Sequence, residues 1–255
     1  MTNPSLAAPR AATPGRTDGA LRGVPSGAPS LPAGGPDYLL FAALLAIAGV
    51  LARAIWFTPV EAMQGPAQKI FYVHVPAATV GLYVGLPIVA ICSAMYLWLR
   101  DDRVDRVAES AAEVSLLFLT AVLVTGPLWG KPVWGTWWTW DARLTLTLFL
   151  WFVVLGYLVM RGAVEDRQQR ARFSAVLGLL AMLLVPFIHL SVELFRTMHP
   201  KAIVLKPSAP SLPGEMLQTL LFGFGATLLL FVALLRARLR YSNERELLSL
   251  RREED

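Results

Sequence analysis

The sequence predicts an all-α membrane protein, a bundle of six transmembrane helices with an external tryptophan-rich loop. Three observations carry this. Of the 255 residues, 55% are hydrophobic and only 16% charged, an apolar excess beyond that of ordinary soluble proteins. The excess falls in six nearly uncharged blocks of about 17 to 25 residues, the length a helix needs to cross hydrocarbon. The blocks lack the period-2 alternation and regular turns of a membrane barrel, which leaves helices.

The blocks run approximately from Tyr38 to Phe57, Val75 to Leu99, Ala111 to Trp129, Leu144 to Met160, Phe173 to Phe195 and Met216 to Leu235. Pro87 and Pro186 fall inside two of them, and each frees a backbone carbonyl, so a kink is expected at both. Residues 1–36, rich in Ala, Pro, Gly and Ser, read as a disordered cytoplasmic tail. That tail lacks the apolar core of a cleavable signal peptide, so the first helix is expected to serve as an uncleaved anchor. Residues 37–238 form the membrane domain, and 239–255 a charged cytoplasmic tail with a short helix.

The formal net charge of +5 invites a nucleic-acid reading, but the basic residues sit in short connections and tails rather than on one soluble face. No nucleic acid is expected as a partner, and membrane lipid is. The N-terminal tail, second loop, fourth loop and C-terminal tail hold sixteen Lys and Arg, against six in the other three loops. The positive-inside rule then places both termini in the cytoplasm and the first, third and fifth loops outside. Cys92 is the single cysteine, so no internal disulfide forms, and no CxxCH sequence exists to attach a haem covalently. A GxxxxGK[ST] loop is absent too, so any ATP hydrolysis belongs to a partner.

Only the outer segments have unusual composition. Residues 129–145 read WGKPVWGTWWTWDARLT, a structured loop from Gly130 to Arg143 in which Asp141 is placed to cap the next helix. Four of the eight tryptophans, Trp134, Trp137, Trp138 and Trp140, fall within seven residues. One or two would anchor a membrane interface. Four make a platform of flat apolar faces with indole donors, suited to a large planar ligand such as a porphyrin. Its carboxylates would want cations, and Lys131, Arg143, Arg196 and Lys201 are predicted on that side, where ordinary interfacial snorkelling is an equal reading. Arg53 is a weaker candidate and is not assigned to the site.

His74 opens the second block and His199 follows the fifth. Neutral imidazole is a common haem-iron ligand, and two from different helices could approach one haem from opposite faces. Filling both axial positions disfavours oxygen chemistry and suits holding and handover. His189, about two turns inside the fifth block, is expected to face the bundle in a structural role, with Glu193 at i+4 as its hydrogen-bond partner.

The run Trp134-Gly135-Thr136-Trp137-Trp138-Thr139-Trp140-Asp141 matches the WWD signature of haem-handling proteins of cytochrome c assembly. Together with HVPAA at His74 and HLSVELFRTMH from His189 to His199, it resembles the CcmC family over roughly Tyr38 to Arg238. The resemblance implies a subunit of the bacterial inner membrane that binds haem b as cargo at the outer face. It also implies presentation of that haem to the chaperone CcmE during system I cytochrome c maturation. The partners implied are CcmA, CcmB and CcmD, with ATP hydrolysis in CcmA, so the chain is not an enzyme by itself. His74 and His199 correspond to the family's axial ligands, and Trp129, Trp134, Trp137, Trp138, Trp140, Asp141 and Arg143 to its macrocycle-binding loop. There are two departures. Leu146-Thr147 stands where many relatives have Ser-Glu, and Leu194-Phe195 stands where an aromatic pair is usual. Two other readings compete: a membrane cytochrome b or quinol oxidoreductase, which would bury several histidines in the bundle, and a haem-free scaffold whose tryptophans only anchor it.

Overall fold

The computed structural model describes residues 36–199 and 212–254, and among these it is helical with no strand beyond one isolated bridge, Glu61 to Gly65. Six helices are long and apolar enough to cross a membrane: Tyr38–Phe57, Pro66–Leu99, Asp102–Trp134, Ala142–Ala163, Arg167–Leu194 and Gly214–Glu254. They are called the first to sixth helices below. The N-terminal tail and Lys201 lie outside the described residues.

The first helix matches its apolar block, and the other five outrun theirs, because hydropathy marks the part in lipid while caps mark the part that is helical. Asp101 and Asp166 each accept a backbone N–H at a helix start, so the third and fifth helices begin well before their apolar stretches. The sixth runs unbroken to Glu254, joining the predicted tail helix to the span. At 41 residues it is about 60 Å long, twice the hydrocarbon thickness of about 30 Å.

The largest departure is at the tryptophan loop. The third helix does not stop at Trp129 but continues through Trp134, where Gly135 takes a left-handed φ of 78° and donates its N–H to Lys131 O at 3.0 Å. Residues 135–141 alone connect it to the fourth helix, so Trp129 and Trp134 are helical residues about one and a half turns apart in depth, not loop residues.

Near Pro87 the second helix widens rather than breaks. Residues Gly81–Gly85 form a π-helical turn just ahead of the proline, a known way to absorb a missing donor inside a helix. Gly85 is also where this helix meets its neighbours most closely: a Cβ there would collide with Ser115 Oγ of the third helix and reach 3.1 Å from Phe231 of the sixth. The fifth helix runs through Pro186 without interruption.

The second helix packs against the third, fifth and sixth, and the fourth against the third and fifth. A core of Leu86, Leu119, Leu150, Val154, Tyr157 and Ile188 joins the second to fifth helices. The first helix leans chiefly on the sixth, with most of its surface left for lipid. Polar contacts tie its end to both the second and the sixth helices. Lys69 Nζ donates to the carbonyls of Ala54, Ile55 and Thr58, closing its last turn, while Arg53 donates to Thr219 at 3.0 Å and Gln218 at 3.1 Å. Arg53 therefore serves the helix pair and stands apart from the tryptophans.

At the end of the third helix remote from its tryptophans, Asp105, Glu109 and Glu113 form an i, i+4, i+8 stripe. Arg161 of the fourth helix donates to Asp105 at 2.8 and 2.7 Å and to Glu109 at 3.0 Å, and Arg238 of the sixth pairs with Glu113.

Candidate functional site

His74 lies in the second helix, which has already begun at Pro66, and its ring is buried. Its Nδ1 meets Thr125 Oγ1 of the third helix at 2.8 Å, and Trp129 packs edge-on at 5.7 Å between ring centroids. Trp129 is itself fixed: its indole N–H donates to Gln64 Oε1 at 2.9 Å, and Phe71 stands against its ring at 5.9 Å. The segment between the first and second helices thus sets one wall.

The opposite side comes from the fourth helix and the end of the fifth. Asp141 caps the fourth helix, accepting from Leu144 N at 3.0 Å, as the sequence predicts, and this places Arg143 in the first turn. Arg143 Nη1 lies 3.1 Å from His199 Nδ1, and Trp134 lies 6.5 Å from the same imidazole between ring centroids. His199 stands beyond Leu194, where the fifth helix ends. In the connecting loop Thr136 donates to Trp138 O at 3.1 Å, folding the segment back, and Trp138 and Trp140 meet edge-on at 5.8 Å.

These groups surround one partly open cleft of about 240 Å³. His74, His199, Trp129, Trp134, Trp137, Trp138 and Arg143 all line it. Trp140 and Asp141 do not: Trp140 is 77% exposed and leans on Trp138, while Asp141 acts through the helix start it caps. Of the cations predicted on this side, Arg143 alone among the described residues lines the cleft. Lys131 donates back to Gly135 O at 2.9 Å, and Arg196 lies outside the lining.

His189 faces the bundle and also lines the cleft, and its Nδ1 meets Tyr83 OH of the second helix at 2.9 Å rather than the expected Glu193. Sequence reasoning missed Tyr83, Thr125 and Gln64, polar residues whose partners lie 106, 51 and 65 positions away. Thr147, one of the two residues at the departure noted above, lines the cleft and donates to Arg143 O at 2.8 Å.

Two further features bear on the chemistry of the cleft. Trp138 lines the cleft, and its buried indole N–H has no acceptor among the described residues. No three His, Cys, Asp or Glu side chains among the described residues converge to cage a bare ion. Two imidazoles suffice for an iron that already has four in-plane nitrogens.

Comparison with known proteins bears on the whole of this arrangement. The family model for CcmC, Heme exporter protein C, matches residues 34–252. The chain belongs to that family. The match spans all six helices and the connection that carries the tryptophans. Among curated members, the Heme exporter protein C of Haemophilus influenzae is 37% identical over 212 residues, covering 80% of this chain and 85% of that protein. That of Bradyrhizobium diazoefficiens is 39% identical over 197 residues, covering 77% and 73%. That of Escherichia coli strain K12 is 35% identical over 204 residues, covering 77% and 81%. In this member of the CcmC family the cleft is assembled from within the matched region, by the second to fifth helices, the connection carrying Trp137 and Trp138, and His199 past the fifth helix, with Phe224 contributed by the sixth.

Proposed function

We propose that the cleft binds haem b as cargo and presents it to the haem chaperone CcmE during system I cytochrome c maturation. In this reading His74 and His199 are the axial ligands, and Trp129, Trp134, Trp137 and Trp138 bear on the macrocycle. Arg143 and the Trp138 indole N–H receive its carboxylates. The chain is a non-enzymatic membrane subunit of an assembly with CcmA, CcmB and CcmD, and ATP hydrolysis resides in CcmA. Both termini lie in the cytoplasm and the cleft at the outer face of the bacterial inner membrane.

The observation that carries this reading is the convergence of His74, in the second helix, and His199, just past the end of the fifth, on one tryptophan-lined cleft. Its size supports handover over permanent retention. Sites that engulf a drug-sized ligand enclose roughly 300–1,000 Å³, and about 240 Å³ leaves part of a tetrapyrrole outside, within reach of an acceptor. Family membership supports the pathway, since the relatives are named as heme exporters.

The test compares haem content of the purified chain and haem delivered to CcmE for His74→Ala, His199→Ala and Trp138→Ala. Loss of both is expected in the histidine variants, with partial loss in Trp138→Ala. Unchanged haem in all three removes the reading. His189 in the same cleft keeps a cytochrome b alternative open to experiment: stoichiometric haem that survives purification and is reduced by quinol would favour it.

A further inference from the structure

We infer that the two imidazoles are unequal: His74 is preset to ligate, whereas His199 is held off by Arg143 until a carboxylate on the macrocycle draws that guanidinium away. The inference rests on the haem reading above and follows from counting protons on four side chains.

A threonine hydroxyl carries one proton. Thr125 Oγ1 lies 2.6 Å from the carbonyl of Ala121, one turn back, and a carbonyl can only accept, so the proton is committed there. Toward His74 Nδ1, at 2.8 Å, the hydroxyl can then only accept. The His74 proton therefore sits on Nδ1 and the lone pair on Nε2, the form in which a neutral imidazole binds a metal through Nε2. The ring is also held in place: Trp129 stands edge-on to it, and a Cβ added at Gly126 would lie 3.4 Å from its Cε1.

At His199 the logic reverses. A guanidinium only donates, so His199 Nδ1, 3.1 Å from Arg143 Nη1, must accept, and the proton of the neutral ring sits on Nε2. Iron binding through Nδ1 needs the lone pair that Arg143 occupies. Binding through Nε2 requires that nitrogen to lose its proton and Nδ1 to gain one, which would set an N–H against the N–H of Arg143. By either nitrogen the Arg143 contact must break first. Because Arg143 is the one Lys or Arg among the described residues that lines the cleft, it is also the group a propionate would seek. It cannot serve both partners at once. Loading is thus ordered: iron meets His74, a carboxylate takes Arg143, and His199 then closes from the non-helical stretch past Leu194.

Ferric haem b and its dimethyl ester, which lacks free carboxylates, separate the steps. Each is titrated into the full-length chain in detergent and followed by absorbance and electron paramagnetic resonance. Haem b is expected to give a six-coordinate low-spin signal, and the diester a high-spin signal with His74 alone bound. Arg143→Leu should convert the diester to low spin. Thr125→Val should weaken haem b binding about 10–100-fold, the range for loss of a partner behind a metal ligand, with Thr125→Ser restoring it. A low-spin diester complex with the unaltered chain overturns the latch while leaving haem binding intact, and so does a diester complex that stays high spin in Arg143→Leu. Failure of haem b itself to bind overturns the underlying reading.

Discussion

Replacing Arg161 with methionine removes a cation whose side chain is only 6% exposed and which makes three hydrogen bonds to Asp105 and Glu109 at 2.7 to 3.0 Å. Charged hydrogen bonds contribute about 1.5–3 kcal/mol each, but the pair also bears the cost of leaving water. What decides the outcome is the carboxylate left behind. Asp105, whose side chain is 12% exposed, loses its guanidinium, while Glu109 retains Arg238 at 3.9 Å. Orphaning one partner of a buried pair costs about 3–5 kcal/mol. For a chain of this size that corresponds to a fall of roughly 6–20 °C in melting midpoint. The assay is thermal unfolding of the full chain in one detergent, with Arg161→Met beside the double variant Arg161→Met/Asp105→Leu. Apolar replacement of both partners is often neutral, so the double variant should recover most of the loss. The site lies about 30 Å along the third helix from Gly126, so haem bound per folded molecule should not change. A single variant melting within about 2 °C of the parent refutes the reasoning, being under the roughly 2–4 °C that each kcal/mol produces. A double variant melting below the single one refutes it as well.

Gly85→Val forces a side chain against Ser115 and Phe231 and should cost about 1–3 kcal/mol, seen as a lower melting midpoint, whereas a surface glycine such as Gly156, open on all sides, tolerates alanine. Gly135→Ala imposes a left-handed conformation on a side-chain-bearing residue, costs about 1–2 kcal/mol by the same assay, and lowers haem content by shifting the tryptophan connection. Asp141→Ala removes a helix cap worth about 0.5–2 kcal/mol and reduces haem binding through Arg143, two residues on; Asp141→Asn, still a good cap, should keep most of both.

The number of helices and the capping role of Asp141 were legible in the sequence because lipid imposes a length and a side-chain oxygen before an apolar run imposes a cap. Helix ends were less so. Trp129 reads as the last residue in lipid, yet the helix persists to Trp134, since Gly130 stays helical and Gly135 is the residue that takes the left-handed turn. His74 and His199 could be paired by expected side of the membrane. Their proton positions could not, as these depend on Thr125 and Arg143, which sit 51 and 56 residues away. His189 shows the limit of local rules: an i+4 neighbour was available in Glu193, but tertiary packing gave its Nδ1 to Tyr83.

The sixth helix has no break between Phe224, in the cleft lining, and Glu254. Thirty residues of unbroken helix make a rod about 45 Å long, and such a rod resists bending far better than a hinged pair would. Whatever grips its far end therefore holds a stiff handle on the cleft lining, and any tilt imposed at one end must be matched by displacement at the other.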